Sequence, residues 1–418
     1  MNSIEKLIEE LCPEGVEFRT VGELVTYIRG VTYSKNDEMQ NGAIKVLRSN
    51  NITLPSNTIN FEDVKTISNS VKVKANQWLK ANDILISAAS GSKLHVGKVA
   101  YIDKDIDYCF GGFMAVLRVN ERIDGRFLFH LLVGETFNDY LKSTLASTTI
   151  NNLSAGIMNS FRVPVPPLEI QNKIVNILDS FTELEAELEA ELEARRRQYT
   201  YYLDAFFDSV VNYRCEEIAK FAFLGEVGLF ERGSSIQKSD FTESGTGCIH
   251  YGQIHTSYGV WTDRTVSFID SGLAAKSRKA QKGNLIIATT SEDDEAVAKA
   301  VAWMGEDEVA ISTDALIFKH SLDPKFVSYF FQSREFQAQK KKYITGTKVR
   351  RISGENLSKI KIPIPPLAEQ TRIAAILDQF DALVNDLSIG LPAEIRARRQ
   401  QYEHYRNRLL TFREAAQP

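Results

Sequence analysis

Residues 91–99 place two glycines and a lysine in an order that suggests a phosphate-binding loop. A nucleotide-binding P-loop has four residues between its glycines, and its lysine is followed by a Ser or Thr whose hydroxyl binds Mg²⁺. Here five residues separate Gly91 from Gly97, and Val99 follows Lys98. The spacing and the missing hydroxyl therefore argue against a nucleotide site.

Other motifs that carry catalysis are also missing from the sequence. Both Pro-Pro pairs are followed by leucine, at Leu168 and Leu367, where the amino-methyltransferase signature has an aromatic residue. The absence of any Glu-x-Lys argues against a nuclease of the Pro-Asp…Glu-x-Lys type. The six histidines are isolated and lack the spacing of metal ligands. The sequence predicts a binding protein that is not itself an enzyme and holds no metal.

Composition limits the kind of ligand and the compartment. The chain has 418 residues and a formal net charge of −4, so contact with nucleic acid must come from local basic patches. Its four cysteines form no Cys-x-x-Cys pair, as expected in a reducing cytosol. No apolar run approaches the length of a membrane span, and the N-terminus lacks a signal-peptide core. These features predict a cytoplasmic protein.

A basic segment at residues 340–351 holds six basic side chains and no acidic one. Such a run around a Gly-Thr turn can bind phosphates through charge and backbone N–H groups. We predict that Lys348, Arg350 and Arg351 contact DNA phosphates. A solvated basic surface without a ligand is the alternative.

A second polar group follows an apolar segment that ends at Leu47. Arginine and asparagine can bond guanine and adenine edges through paired hydrogen bonds, so Arg48, Asn50 and Asn51 are candidate base contacts. Ordinary polar residues of a loop are the alternative. The further candidate DNA-binding residues are Ser49, Ser90, Ser92, Lys93, Thr148, Thr149, Asn151, Asn152, Tyr251, Gln253 and His255.

These candidates lie in two halves of the chain that share an internal repeat. One copy reads Val-Pro-Val-Pro-Pro-Leu-Glu-Ile-Gln from Val163, and the other reads Ile-Pro-Ile-Pro-Pro-Leu-Ala-Glu-Gln from Ile362. Both continue into Ile-Leu-Asp-x-Phe at the same offset of 199 residues. A self-match of this length indicates a duplicated structural unit. Each copy predicts a short proline-containing edge strand, followed by a helix that begins after Pro-Pro.

The two helices are predicted to be long and to pack on each other as an antiparallel, coiled-coil-like pair. Apolar residues recur at helical spacing in both, and the first spans Leu168 to Phe207, which is about 60 Å of helix if unbroken. The second carries four extra residues near Gly390 and Pro392, which should break or kink it. The predicted core of the pair comprises Leu184, Leu188, Leu192, Tyr199, Tyr202, Leu383, Leu387, Tyr402 and Tyr405.

Within the first helix, residues 183–194 repeat the unit Glu-Leu-Glu-Ala three times. Glutamate, leucine and alanine are strong helix formers. Two interpretations stay open for the glutamates. They can form a solvated acidic face, or the repeat can act as a length ruler in which each unit moves the flanking domains by about 6 Å.

The globular parts share a frame but differ in content. A buried strand is predicted at 83–87 and again at 284–288, and a helix at 127–132 and again at 326–331. We predict a mixed α/β fold with two similar domains related by a pseudo-twofold. The predicted segments are domains at 1–164 and 208–363 and spacer helices at 165–207 and 364–418.

The sequence resembles the specificity subunit of type I restriction–modification systems. The resemblance rests on two variable domains, each followed by a Pro-x-Pro-Pro-Leu-x-x-Gln helix with Ile-Leu-Asp-x-Phe and a terminal Gln-Tyr-x-x-Tyr, and it covers essentially the whole chain. The tandem Glu-Leu-Glu-Ala looks like the spacer repeat of one subgroup of that family. The resemblance implies that each domain is a target-recognition domain for one half of a bipartite DNA site.

The same resemblance implies a division of labour between subunits. The helices are expected to dock two modification subunits, which bind S-adenosylmethionine and methylate adenine N6, and two restriction subunits that use ATP and Mg²⁺ can join them. No cofactor is expected on this chain. A coiled-coil scaffold or adaptor that does not bind DNA is the alternative, and salt-dependent duplex binding distinguishes the two. The acidic run at 292–295 should repel phosphates. Two interpretations stay open for it: it reads cytosine N4, or it points away from DNA.

Overall fold

The computed structural model describes residues 2–54, 56–90, 95–146, 152–212, 220–386 and 388–416. The chain forms two compact units: unit 1 consists of residues 1–188 with 395–418, and unit 2 consists of residues 189–394. Both combine helices with small sheets, so the predicted mixed α/β class is confirmed. The predicted segment boundaries stay predictions, and the compact units divide at other positions, inside long helices.

Unit 1 places its strands between short helices. Its first helices are α1 (Asn2–Leu11), α2 (Val21–Leu24), α3 (Gly125–Val133), α4 (Glu135–Ala146) and α5 (Ala155–Ser160). Its strands are β1 (Phe18–Thr20), β2 (Val25–Arg29), β3 (Ile44–Leu47), β4 (Ile52–Thr53), β5 (Thr58–Ile59), β6 (Lys65–Ile67), β7 (Asp83–Ser87), β8 (Val99–Tyr101), β9 (Cys109–Phe110), β10 (Met114–Val119) and β11 (Arg162–Pro164).

The main sheet of unit 1 is antiparallel, with the order β2-β10-β7-β8. Strand β7 is fully buried, which confirms the strand predicted from its apolar sequence. Successive side chains of a strand point to opposite faces. Ile84 and Ile86 join the core formed with α3 and α4, whereas Leu85 joins a second core with Leu47 and Phe110 of the small sheet β6-β3-β9. The sheet is therefore held between helices and a second sheet.

A 45-residue helix, α6 (Leu168–Asn212), follows β11 and passes from unit 1 into unit 2. It confirms the predicted long helix, is unbroken through the Glu-Leu-Glu-Ala repeats and measures about 68 Å at 1.5 Å per residue. Leu184, Leu188 and Leu192 are half-buried, so they are more exposed than their predicted place in the core of the helix pair implies. A narrow apolar stripe bordered by glutamate and alanine leaves the flanks of such leucines open to solvent.

Unit 2 repeats the plan of unit 1 with additional strands. Its short helices are α7 (Leu224–Val227), α8 (Tyr251–Thr256), α9 (Ser271–Lys276), α10 (Pro324–Phe330), α11 (Arg334–Lys340) and α12 (Gly354–Leu357). Its strands are β12 (Lys220–Phe223), β13 (Gly228–Arg232), β14 (Thr246–Ile249), β15 (Trp261–Thr262), β16 (Ser267–Ile269), β17 (Lys279–Ala280), β18 (Leu285–Ala288), β19 (Thr290–Ser291), β20 (Ala300–Trp303), β21 (Val309–Ile311), β22 (Ala315–His320), β23 (Arg350–Arg351) and β24 (Lys361–Ile364).

The main sheet of unit 2 has the order β13-β22-β18-β20-β15 and is antiparallel except where β15 meets β20. Strand β18 is fully buried and takes the place of β7, which confirms the second predicted strand to within one residue. Leu285 and Ile287 join the core of α10, whereas Ile286 joins a core with Ile249 and Ile311 of the small sheet β16-β14-β21-β17. The two units therefore share one architecture.

Two helices, α13 (Leu367–Asn385) and α14 (Leu391–Leu409), end the described chain. The break predicted near Gly390 and Pro392 is confirmed, so the spacer predicted at 364–418 is two helices. A Cβ atom on Gly390 would lie 2.4 Å from the carbonyl oxygen of Ala382, so only glycine fits this close turn. Helix α13 belongs to unit 2, and residues 395–409 of α14 belong to unit 1.

Within unit 1, α14 packs antiparallel to α6. The ring of Phe181 stacks on that of Tyr405 with 5.3 Å between centroids. Glu185, one turn further along α6, forms an ion pair with Arg399, which precedes Tyr405 in α14. The predicted antiparallel pairing is confirmed for this part of the helices.

The other residues of the predicted helix core differ in burial. Tyr199 is buried in the core of unit 2. Tyr202 is partly exposed but stacks on Phe380, with 5.2 Å between ring centroids, as Phe181 does on Tyr405. Leu383 is also partly exposed, and Leu387 lies outside the described residues.

The repeated Pro-Pro-Leu-x-x-Gln motif fastens each long helix to the domain before it. Just before the motif, Pro164 lies in β11 and Pro363 lies in β24. Each of these strands pairs with a single strand, so the predicted edge strands are confirmed. Gln171 is buried, accepts a hydrogen bond from the backbone N–H of Asp124 at 2.8 Å and donates to the carbonyl of Pro166 at 2.7 Å. The Asp124 side chain in turn caps α3. Gln370 makes the equivalent bonds in unit 2.

The aspartate of the first Ile-Leu-Asp holds a buried histidine. Nε2 of His130 lies 2.9 Å from Oδ1 of Asp179. Nδ1 of the same ring lies 3.0 Å from the hydroxyl of Tyr402 in α14. Burial lowers the pKa of His130, so the ring is neutral at pH 7. This chain of contacts joins α3, α6 and α14.

The end of the described chain returns to its beginning. The backbone N–H of Val16 donates to the carbonyl of Arg413 at 2.8 Å, and that of Ala415 donates to Val16 at 2.9 Å. Gly15 at this contact has φ +106°, and a Cβ atom there would lie 2.8 Å from the nitrogen of Ala415. Unit 1 is therefore built from two separate pieces of chain.

Candidate nucleic-acid interface

The end of strand β7 gathers residues from separate parts of unit 1. The hydroxyl of Ser87 donates to that of Ser49 at 2.9 Å. The backbone N–H of Ala89 donates to the carbonyl of Phe113 at 2.9 Å, and Ala89 forms a β-bridge with Asn152. Two predicted contacts, Ser49 and Asn152, therefore share one surface with Phe113.

Phe113 and Arg29 belong to this surface although sequence reasoning did not assign them to a site. Phe113 is 74% exposed. Nη2 of Arg29 donates to Oδ1 of Asn152 at 3.1 Å. The Arg-Gly pair recurs in both halves of the sequence and could have indicated Arg29. The glycine of the pair is required by packing, because a Cβ atom on Gly30 would lie 2.1 Å from the carbonyl oxygen of Gly111. No sequence signal points to Phe113.

The predicted base contacts after β3 lie at a short 3-10 helix, Ser49–Asn51. Nη2 of Arg48 is 3.0 Å from Oδ2 of Asp63, and Nδ2 of Asn50 donates to the same oxygen at 2.8 Å. Asn51 is 1% exposed; its Oδ1 accepts from the backbone N–H of Arg48, and its Nδ2 donates to two backbone carbonyls. Asn51 therefore holds the turn, which corrects its predicted role as a base contact. Arg48 and Asn50 stay candidates.

Five predicted DNA contacts cannot be placed. Ser92, Lys93, Thr148, Thr149 and Asn151 lie outside the described residues. Their described neighbours Ser90 and Asn152 are half-buried and lie near the end of β7. The predictions for the residues in between stay predictions.

The end of strand β18 gathers the equivalent positions of unit 2. The carbonyl of Asp314 accepts a hydrogen bond from the residue after β18, as that of Phe113 does from the residue after β7. Strand β19 continues from there and pairs with β23, which carries the two predicted arginines. Nε2 of His255 lies 3.0 Å from the carbonyl oxygen of Thr290 in β19. Three predicted contacts, His255 and these arginines, therefore meet at one surface.

Gln253 is used within the fold, in the same way as Asn51. Its Oε1 accepts from the backbone N–H of His250 at 2.9 Å, and its Nε2 donates to a serine hydroxyl at 2.6 Å. Gln253 therefore holds the turn after β14, and its predicted DNA contact stays a prediction. Tyr251 is half-buried with its ring 4.6 Å from that of His250. Tyr251 and His255 stay candidates.

The basic segment and the acidic run lie against each other. Nε of Arg350 is 2.8 Å from Oδ1 of Asp294, and Nη1 of Arg350 donates to the carbonyl of Gly346 at 2.6 Å. Lys348 and Arg351 are exposed and keep the accessibility that a phosphate contact requires. The acidic run was expected to repel phosphates. The pairing of Asp294 with a basic residue of the same surface explains part of its presence there.

Lys340, the first lysine of the basic segment, is buried instead of exposed. Its Nζ donates to the carbonyl oxygens of Glu295 and Val297, both at 2.7 Å. Burial lowers the pKa of Lys340 to about 8. This lysine fastens the acidic run to helix α11 and is too buried to serve as a phosphate contact.

Equivalent positions carry different chemistry in the two units. By their places at the ends of β7 and β18, Phe113 corresponds to Asp314 and Asn152 corresponds to Arg351. An exposed aromatic ring and an amide in unit 1 are thus replaced by a carboxylate and a guanidinium in unit 2. The same frame presents two different sets of hydrogen-bonding and apolar groups.

The described ranges also bear on metal binding and on membrane insertion. Within them, no group of three or more His, Cys, Asp or Glu residues is arranged to hold a metal ion. None of the described helices combines the length and the apolar character needed to cross a membrane.

Comparison with known families matches both halves of the chain. The profile of the type I restriction modification DNA specificity domain matches residues 13–194 and again residues 217–397. A putative type I restriction enzyme specificity subunit from Haemophilus influenzae is 30% identical over 372 residues, which cover 83% of this chain and 91% of that protein.

Solved structures show the same fold. A chain from work on complex assembly and conformational transition of the type I R-M system has a TM-score of 0.62 and 18% identity, and the match covers 95% of this chain and 97% of that chain. The S subunit of a type I restriction–modification system from M. genitalium has a TM-score of 0.53 and 15% identity, with 95% and 96% covered.

Proposed function

This chain belongs to the type I restriction–modification DNA specificity family, and we propose that it reads a bipartite duplex DNA target with one half-site per compact unit. The observation that carries the proposal is the replacement of Phe113 in unit 1 by Asp314 at the equivalent position of unit 2. Base edges are distinguished by hydrogen bonds and by apolar contact with the thymine methyl group. One frame with two sets of side chains suits a target with two different halves.

The residues at the ends of β7 and β18 suit both kinds of DNA contact. An aromatic ring can contact a thymine methyl, and a carboxylate can accept a hydrogen bond from cytosine N4. Lys348 and Arg351 supply charge for phosphates, which position a protein on the duplex without reading its sequence. The family match disfavours a scaffold that does not bind DNA.

We further propose that the long helices dock two modification subunits and that two restriction subunits can join. The leucines of the two Pro-Pro-Leu steps, Leu168 and Leu367, are 48% and 58% exposed at the starts of α6 and α13. Apolar side chains exposed at equivalent positions suit two copies of one partner. S-adenosylmethionine, ATP and Mg²⁺ belong to those partners in this proposal, and DNA as ligand places the complex in the cytoplasm.

Mapping methylated adenines tests the reading of half-sites. The chain is produced with its modification subunits in a host, and N6-methyladenine is mapped across the host DNA. Phe113→Ala should relax the consensus in one half-site, and Asp314→Ala should relax it in the other. Leu229→Ala is the control, because Leu229 is 73% exposed in β13, near the opposite end of the unit 2 sheet.

Two results would contradict the proposal. One is the absence of any bipartite methylated motif with the unaltered chain. The other is a change in the same half-site from both variants.

A separate assay addresses catalysis: the purified chain alone should transfer no labelled methyl group from S-adenosylmethionine and should not cut DNA, because its sequence carries no cofactor motif.

A further inference from the structure

We propose that Arg350 reads a guanine in the half-site of unit 2 and that Asp294 is the positioning residue for its guanidinium. The inference deepens the proposed function and depends on it. It replaces the predicted phosphate contact of Arg350 with a base contact, while Lys348 and Arg351 keep the phosphate role. It also gives the acidic run a place on a surface that binds a polyanion.

The guanidinium of Arg350 is held on two sides. Nε forms an ion pair with Asp294 at 2.8 Å, and Nη1 donates to Gly346 at 2.6 Å. A guanidinium has five N–H donors, and these two bonds leave three of them, including both on Nη2. The side chain is 34% exposed, so the open edge can be reached. Arginine reads guanine O6 and N7 with two such donors.

The charge next to Arg350 disfavours a phosphate contact for this arginine. A phosphate is bound mainly through net charge, and a carboxylate within 3 Å opposes that attraction. A neutral base edge depends instead on the direction of the donors. Holding the fork in place before binding lowers the entropy lost when the contact forms. The Asp294 contact at 2.8 Å thus weakens the phosphate contact of Arg350 and favours the base contact.

The backbone segment that carries Asp294 is held by its neighbours in the acidic run. The backbone N–H of Ala296 donates to Oδ1 of Asp293 at 2.6 Å, which closes a turn around Asp294. Buried Lys340 then donates to the carbonyls of Glu295 and Val297 at 2.7 Å. Asp294 therefore sits on a segment that is bonded to the domain core on its far side.

The turn that carries Arg350 is also closed. The backbone groups of Thr345 and Arg351 exchange two hydrogen bonds, at 2.9 and 2.8 Å. Gly346 between them has φ +91°, and a Cβ atom there would lie 2.1 Å from the carbonyl oxygen of Val349. Only glycine fits this conformation, and its carbonyl is the second acceptor for Arg350.

The test uses the chain assembled with its modification subunits. The probes are duplexes with the target found by methylation mapping, together with every single-base change in the half-site of unit 2. Arg350→Lys keeps the charge but loses the fork. It should reduce discrimination at one G·C pair by about tenfold or more, while affinity for unrelated duplex and its salt dependence change little.

Matched variants separate the two kinds of contact. Lys348→Ala should weaken binding to all duplexes alike and lower the slope of log affinity against log salt by about 0.9, with base preference unchanged. Asp294→Asn keeps an acceptor for Nε but removes the negative charge. It should raise affinity for unrelated duplex, steepen the salt slope and reduce discrimination at the same base pair as Arg350→Lys.

The outcomes distinguish this inference from the proposed function. If the unaltered complex shows no preference within the half-site, the proposed function fails. If it shows a preference that Arg350→Lys and Arg350→Ala both leave intact, only the guanine contact fails. A lowered salt slope in Arg350→Ala with every base preference retained returns Arg350 to phosphate binding. Thermal unfolding confirms that each variant is folded. If Arg350→Ala does not fold, Arg350→Lys alone decides the test.

Discussion

Asp378 shows how one carboxylate of the repeated motif stabilises unit 2. Its Oδ1 accepts a hydrogen bond from the hydroxyl of Tyr329 at 2.7 Å, and its Oδ2 lies 2.6 Å from Nζ of Lys325. The equivalent Asp179 binds His130 in unit 1. Both arrangements tie a long helix to the helix after the main sheet, with different donors.

Tyr329→Phe should therefore destabilise unit 2. The ring of Tyr329 is buried, and the substitution removes the hydroxyl that donates to Asp378. The half-buried carboxylate of Asp378 then keeps only its contact with Lys325. A buried polar group that loses its partner costs about 1–3 kcal/mol. Denaturant unfolding should show a loss of this size, whereas Tyr201→Phe, with a ring 68% exposed, should leave the unfolding free energy unchanged. Equal effects from the two variants would refute the assignment.

His320 predicts a pH dependence of stability. Burial lowers its pKa to about 4, below the ordinary value of about 6.5. Between these values the unfolded chain binds more protons than the folded chain, so the free energy of unfolding falls as the pH drops. This stabilisation is fully present above pH 6.5 and is lost as the pH falls through about 4.

His320→Leu should remove that contribution. Between pH 7.5 and pH 5 the unaltered protein should lose up to about 2 kcal/mol more stability than the variant. Denaturant titrations at the two pH values measure the difference. His404→Leu at an exposed position serves as control and should follow the unaltered protein. Parallel pH profiles for His320→Leu and the unaltered protein would rule out the buried histidine as the cause.

Asn51 and Gln253 mark where residue-level prediction from sequence stops. Both amides suit base contacts, yet both accept a hydrogen bond from the backbone N–H three residues earlier. Turn capping and base reading use the same donors and acceptors, so residue type alone cannot separate them. The Asp294–Arg350 pair was equally out of reach, because 56 positions separate its members and loop closure brings them together.

At the scale of elements, strong local patterns were enough for prediction. The apolar runs of β7 and β18, the helix formers of α6 and the Gly-Leu-Pro break before α14 each express a local preference that the fold keeps. The half-buried leucines of α6 were less predictable, since their burial depends on what packs beside them. The spacing of apolar residues predicts a helix, but it does not predict how deeply those residues are buried.

The unbroken α6 makes the length ruler testable. Deleting residues 187–190 removes one Glu-Leu-Glu-Ala unit, which shortens the helix by about 6 Å and turns it about 40° past a full turn. This is somewhat less than two base-pair rises of about 3.4 Å. We expect both half-site sequences to persist, with the non-specific spacer between them one or two base pairs shorter.

Methylation mapping of the deletion variant decides between the two interpretations of the glutamates. Bending or twisting of the duplex absorbs the remaining mismatch at a cost of a few kcal/mol. A solvated acidic face predicts reduced stability with the spacer length unchanged. An unchanged spacer length would therefore contradict the interpretation of the repeat as a length ruler.

At the scale of the whole molecule, unit 1 is discontinuous in sequence and unit 2 is not. The contact between His130 and Tyr402 spans 272 positions, and the backbone of Val16 bonds Arg413 and Ala415. The repeat in the sequence predicted two similar domains, but a motif spacing cannot show which domain a terminal helix completes. That choice is made by tertiary packing on α3 and α6.

Truncation after residue 394 should therefore damage unit 1 and spare unit 2. The lost segment includes Leu409, which is buried in the core of unit 1, and Tyr402 and Tyr405, which pack against that core. Limited proteolysis of the truncated chain should release fragments from residues 2–188 while a fragment within 220–386 resists. Matching protection of both fragments would show that α14 contributes little to unit 1.

The return of the C-terminal segment to Val16 also fixes an order of events during synthesis. Domains generally fold from the N-terminal end as the ribosome releases them. Here every residue of unit 2 has been made by position 394, whereas unit 1 still lacks residues 395–418. The ribosome therefore finishes the second recognition unit before the first. Until residues 395–409 have been made, the core of the first keeps an uncovered apolar surface where Leu409 will pack. A nascent chain is open to chaperones and to misassembly at that surface.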